Sequence, residues 1–205
     1  MFEDKRWLVA LFGCGAFFIV GLSSPAQGQL WPKKAYDATY EITARSGQTT
    51  HRLISDGQGH VRSESTDASG KVRAIMISDY PNRTALSLMP AQRICMKIPL
   101  RPASMQAVDE AALRQRHAQP LGVKIIDGHP CHGFRYSNDG FTTDTWVGDD
   151  IGTMVESSTS GGQIGQSTMR LKSFSSVTPN SSLFSVPSDY KIMQLPLGMP
   201  GGAGG

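Results

Sequence analysis

His129, Cys131 and His132 form the densest run of potential metal ligands and nucleophiles in the chain. Side chains alternate along an extended strand, so His129 and Cys131 share one face and His132 takes the other. A structural zinc ion needs four tetrahedral ligands, and no second ligand pair lies nearby in sequence. These residues read as surface imidazoles beside a structural cysteine, and no metal site is expected. His51 and His60 flank Asp56-Gly57, where a hairpin can bring them together with Asp56 close by; the favoured reading is that they are solvated turn residues. Asp109-Glu110 and Asp149-Asp150 are neighbours whose side chains point apart, which rules them out as general acid/base couples. Hydrolase and phosphate-loop signatures are missing. Gly165-Gln166-Ser167-Thr168-Met169 fails the Gly-x-Ser-x-Gly elbow at its last position. Gly161-Gly162-Gln163-Ile164-Gly165 lacks the Lys-Ser/Thr that follows a phosphate loop. No catalytic residue and no cofactor is expected, and the chain reads as non-enzymatic.

The amino terminus explains what surrounds these residues. Lys5 and Arg6 precede an apolar run from Trp7 to Leu22, and Ser23-Ser24-Pro25-Ala26-Gln27-Gly28 supplies small residues suited to cleavage. Residues 1–28 therefore read as an export signal, and the working chain begins near Gln29 in a periplasmic or secreted setting. The run is shorter than the roughly twenty apolar residues of a spanning helix; a retained anchor and a lipoprotein box at Cys14 are the lesser alternatives. The formal net charge is +3, without a block of like charges, so nothing calls for nucleic acid. Beyond the leader the cysteines are Cys95 and Cys131, and an even number in an oxidising compartment predicts one disulfide, with two free thiols as the alternative. Alternation places Cys95 with Arg93 and Lys97, and Cys131 with Arg135, so both thiols belong to an outer, polar sheet face.

From Tyr36 onward the period is two. Tyr36, Ala38, Tyr40, Ile42 and Ala44 alternate with Asp37, Thr39, Glu41 and Thr43, predicting a strand with one buried and one wet face. Further strands are predicted at 49–55, 60–66, 71–78, 83–89, 93–98, 123–127, 131–137, 141–148, 153–159 and 167–177, separated by turn residues. The period changes once, where Met105, Val108, Ala112 and Leu113 share a helical face between Ser104 and His117. The fold class is mainly β: an open antiparallel half-barrel with one or more covering helices. Residues 29–194 form a single domain, and the Gly/Pro-rich 195–205 tail reads as disordered.

Three stretches resemble a family of uncharacterised secreted bacterial proteins grouped with the LolA-like unclosed-barrel lipoprotein carriers. Gly128-His129-Pro130-Cys131-His132-Gly133-Phe134 is similar to that family's Gly-x-x-Cys strand start, and Asp144-Thr145-Trp146-Val147 to the strand that follows. Ser182 to Lys191, with Leu183-Phe184-Ser185-Val186-Pro187, resembles its closing segment. The resemblance implies an antiparallel half-barrel that holds acyl chains in an apolar cavity, with one helix here where those carriers build a lid from several.

The residues point the same way, because Met and aromatic side chains crowd the strands and suit surfaces that accept varied apolar guests. Tyr40, Ile42, Met76, Met96, Phe134, Tyr136 and Trp146 are the expected cavity lining, chosen by alternation and so exposed to a one-residue slip. An ordinary self-filled core is the competing reading of the same residues. The apolar cover of the concave side would be the helix, the Phe184 to Tyr190 segment or a lipid. Expected partners are a lipid or lipidated protein of the cell envelope. The alternatives are an envelope structural or stress-response module with a self-filled core, and a redox or metal role for Cys95, Cys131 and the neighbouring histidines.

Overall fold

The computed structural model describes residues 32–100, 118–138, 140–161 and 165–194. The expected export signal, the helix at 104–117 and the 195–205 tail lie outside these residues. The described chain is one twelve-stranded sheet. Its strands are β1 (Ala35–Ala44), β2 (Gly47–Asp56), β3 (His60–Thr66), β4 (Val72–Asp79), β5 (Thr84–Met89), β6 (Ile94–Pro99), β7 (Gln119–Ile126), β8 (His129–Asn138), β9 (Phe141–Gly148), β10 (Thr153–Gly161), β11 (Gly165–Ser175) and β12 (Lys191–Gln194).

Two antiparallel meanders, β1 to β6 and β7 to β11, join where β11 pairs with β1. The edges are β12 and β7, and the sheet does not close. This is the open antiparallel half-barrel read from the sequence. Among the described residues there is no α-helix; the one helical element is a 3-10 turn at Ser181–Phe184, capped by the Asn180 side chain. The strand missing from the sequence reading is β12. It has four residues and pairs in parallel with β6, so no local hairpin signal announces it.

Curvature follows from contacts that a flat sheet forbids. Strands β1 and β10 are separated by β11 and would lie about 9–10 Å apart in a flat sheet. Yet the Tyr40 hydroxyl donates to the Met154 carbonyl at 3.0 Å and lies 3.3 Å from Thr153 Oγ1. The Tyr40 face is therefore the inside of the curl. Bulges at Thr39/Tyr40 and Met154/Glu156 sit at this bend, where an extra residue increases local twist.

The pairing register carries the two faces across the sheet. The inner face runs Ile42, Met169, Ser157, Thr145 and Phe134 on one side. On the other it runs Ala38, Leu53, Ser63, Met76, Ser87 and Met96. The outer face carries Ile75, Ile77, Leu88 and Cys95, and the segment after β11 packs Phe184, Val186 and Tyr190 on them. Arg62 clips this arm by donating to the Leu183 carbonyl at 2.9 Å. The Phe184 to Tyr190 segment thus covers the convex side rather than the concave one, because its apolar partners have the opposite parity from Tyr40.

The cysteines sit on the outer face, as alternation required, but neither is exposed and no bridge joins them. Cys95 is 0% exposed beneath the carboxy-terminal arm, and Cys131 is 0% exposed among Ile126, Ile151 and Val155. Both are free thiols, and eight strands separate β6 from β8 in the sheet. Alternation reports the face of a residue. It does not report what another segment lays over that face.

Candidate ligand-binding site on the concave face

Tyr40 organises the inner face of β1. It is fully buried and its phenol pKa is pushed up, first by burial, then by the neighbouring Tyr36 ring. It therefore stays neutral and donates to the Met154 carbonyl. Thr153 Oγ1 lies within reach of both ring hydroxyls, 3.3 Å from that of Tyr40 and 3.5 Å from that of Tyr36. Tyr36 packs on Phe174 with ring centroids 5.7 Å apart. These contacts close one end of the concavity with the chain's own side chains, as burial of Tyr36, Ser55, Ser78 and Ala85 on the same face confirms.

Beyond Tyr40 the concavity opens into a chamber of about 250 Å³. Ile42, Leu53, Tyr136, Val147, Met154 and Met169 form its apolar walls. The remaining wall is hydroxylic: Thr143 meets Thr159 at 3.1 Å and Thr145 meets Ser157 at 3.3 Å across strands β9 and β10. Every described side chain lining the chamber is uncharged. Beside it on the same face lies His51, which pairs with Tyr40 across β1 and β2. Its ring nitrogens lie 3.2 Å from Ser65 Oγ and 2.9 Å from Ser63 Oγ, and burial lowers its pKa.

Six of the seven residues expected to line a cavity share this face, though not one pocket. Tyr40, Ile42 and Tyr136 line the chamber. Phe134 is buried on β8, opposite Thr145. Met76 and Met96 lie on the far half of the concave face, where Met76 is 40% exposed. Trp146 is the exception and points outward: its ring lies against the backbone of Gly133, where an added Cβ would come within 2.5 Å, and Lys124 Nζ sits 4.0 Å from its centroid. The alternation within β9 runs one residue out of phase with the expectation, since Thr145 and Val147 hold the inner positions. What residue-by-residue reading missed is the hydroxyl wall, because Thr and Ser at strand positions carry no signal of facing inward.

The histidines expected to be solvated all have partners. His129 Nδ1 lies 2.8 Å from Asp150 and His132 Nδ1 2.7 Å from Asp149, so the adjacent carboxylates of the β9–β10 turn each take one imidazole. His60 pairs with Asp56 at 2.5 Å and does not meet His51. Burial opposes the ionised Asp56 carboxylate, but hydrogen bonds from Gln58 N–H and from His60 hold its pKa below the ordinary range. Among the described residues no group of three or more His, Cys, Asp or Glu side chains is arranged to hold a metal ion.

Comparison with known proteins adds a family and a fold. The family model described as Domain of unknown function (DUF4412) matches residues 39–163. No curated protein matches the sequence. An uncharacterized conserved protein from Thermus thermophilus superposes with a TM-score of 0.61 at 10% identity, over 80% of this chain and 91% of that one. A chain of the Pseudomonas aeruginosa MucA/MucB complex gives a TM-score of 0.51 at 12% identity, over 83% of this chain and 62% of that one. This chain thus spans less than two thirds of that one. A LolA superfamily protein from Nitrosomonas europaea gives a TM-score of 0.40 at 12% identity, over 76% and 91% of the two chains. At these identities the first two likenesses concern the path of the sheet alone. Among the described residues no helix is long and apolar enough to cross a membrane.

Proposed function

This chain belongs to the DUF4412 family, and we propose that it is a non-enzymatic, exported cell-envelope protein that binds an apolar or amphiphilic ligand, a lipid or a lipidated partner, on its concave face. The observation that carries the reading is the inward convergence of Tyr40, Ile42, Leu53 and Tyr136, drawn from β1, β2 and β8, on one chamber. A sheet that curls without closing leaves apolar inner surface that something must cover. The exposed Met76 on the same face extends that surface away from the chamber. Export is supported by the Lys5-Arg6 start, the apolar run and the small-residue end of residues 1–28. The complex with a protein partner named for the neighbouring MucA/MucB structure is compatible with this role.

Native mass spectrometry of the protein purified from a bacterial periplasm tests the proposal. An adduct of lipid mass, removed by organic extraction and restored by adding lipid back, is the expected result. A consistently bare chain, before and after incubation with envelope lipids, overturns it and leaves a structural module whose concavity is filled by its own side chains.

A further inference from the structure

The chamber and the methionine row beyond it are chemically different, and together they describe a ligand. At the chamber, each hydroxyl pair uses one proton between its two oxygens, so among the described residues Thr143–Thr159 and Thr145–Ser157 each keep a second O–H donor for a guest. All four hydroxyl-bearing residues line the chamber, whose described side chains are uncharged. Such a wall suits a neutral acceptor such as an ester, amide, ether or sugar oxygen. It penalises a phosphate or carboxylate, whose desolvation no described lining side chain offsets with a positive charge.

From the chamber's lip at Leu53, one paired residue per strand continues the inner face through Ser63, Met76, Ser87 and Met96 to Met193. Five steps of about 4.8 Å make this track roughly 24 Å long. That is the span of a long extended hydrocarbon chain. Met76 and Met193 are 40% and 46% exposed, so the track is open to a guest. Methionine adapts its shape to a chain better than branched residues do.

Resting on the reading of the concave face as a ligand site, we infer that the ligand is a single-chain amphiphile with an uncharged, hydrogen-bond-accepting head, the head held by the hydroxyl wall and the tail laid along Met76, Met96 and Met193. The chamber volume of about 250 Å³ equals roughly eight liquid-water volumes, enough for a glycerol ester or a small amide head.

The test uses the full-length exported chain, delipidated, and compares a monoacylglycerol, the fatty acid of equal chain length at pH 8, the corresponding lysophosphatidylglycerol and an alkyl chain without a head. The expected result is tightest binding of the monoacylglycerol, by about tenfold over each anion, since one hydrogen bond gained and one ion desolvated are of that order. Thr145→Val with Ser157→Ala should abolish that preference, and Met76→Lys should remove the gain in affinity with chain length. Equal binding of all heads, or preference for an anion, overturns the inference while leaving an apolar-ligand protein. Failure of every probe to bind overturns both. The head-group ranking is read on the unmodified protein, so misfolding of a variant does not shield the inference.

Discussion

Tyr40→Phe tests whether the curl of the sheet is held from inside. The substitution keeps the ring, so apolar burial and packing stay as they are. It deletes the hydroxyl that bridges β1 to β10 through the Met154 carbonyl and Thr153 Oγ1, at 3.0 Å and 3.3 Å. One net hydrogen bond contributes about 1 kcal/mol, and an acceptor left unpaired in a buried site costs about 1 kcal/mol more. A loss of about 2 kcal/mol corresponds to a melting temperature lower by about 4–8 °C in a domain of this size. Urea denaturation followed by far-ultraviolet circular dichroism gives the free energy directly, with Tyr136→Phe as the control. Tyr136 lines the same chamber and makes no side-chain hydrogen bond within the described residues, so its change should stay under about 0.5 kcal/mol. If Tyr40→Phe is no more destabilising than Tyr136→Phe, the hydroxyl is not what fixes the bend.

Three further outcomes follow from the same geometry. Arg62 and Glu64 form a pair whose side chains are 12% and 13% exposed, and Arg62 also holds the Leu183 carbonyl. Arg62→Ala should cost about 2–3 kcal/mol and speed proteolysis within residues 180–190, whereas unchanged cleavage there would show the arm is held by packing alone. Burial lowers the His51 pKa, so the folded state binds fewer protons than the unfolded one below about pH 6.5. The stability this lends is complete above that pH and is lost as pH falls through the lowered value. In His51→Gln the loss of stability between pH 7 and 5 should be smaller than in the unaltered protein, and parallel pH profiles would refute the assignment. Burial raises the thiol pKa of both Cys95 and Cys131, so the folded, unreduced protein should resist alkylation while the unfolded, unreduced protein yields both thiols. Thiols that appear only after reduction would restore the bridge.

Within the described residues, most of the strand order was readable from local pattern because hairpin turns and two-residue alternation are short-range signals. Strands 60–66 and 141–148 appear at their expected bounds. Trp146 shows the weak point of that reading, since a one-residue error of phase turns a wall of the cavity into an outer side chain stacked over Gly133. The alternation around Cys95 and Cys131 placed both on the right face, but a disulfide also needs two Cα atoms within about 7 Å, and no local pattern measures that. The hydroxyl wall was invisible for a related reason. Thr143, Thr145, Ser157 and Thr159 look like ordinary strand residues until registers on either side of β9 and β10 place them together.

Local chemistry in the sequence determined that the chain forms many short antiparallel strands, which faces of the first strand are wet and dry, and that no hydrolase or phosphate-loop motif is present. The tertiary structure alone decided that the sheet curls around Tyr40, that the Phe184 to Tyr190 arm lies on the convex side, and that hydroxyls and methionines divide the concave face between them. The physical reason is range. Strand alternation and turn geometry are set by neighbours a few residues apart, while curvature, cover and the contents of a cavity depend on side chains more than a hundred positions apart, as in the bond from Tyr40 to Met154.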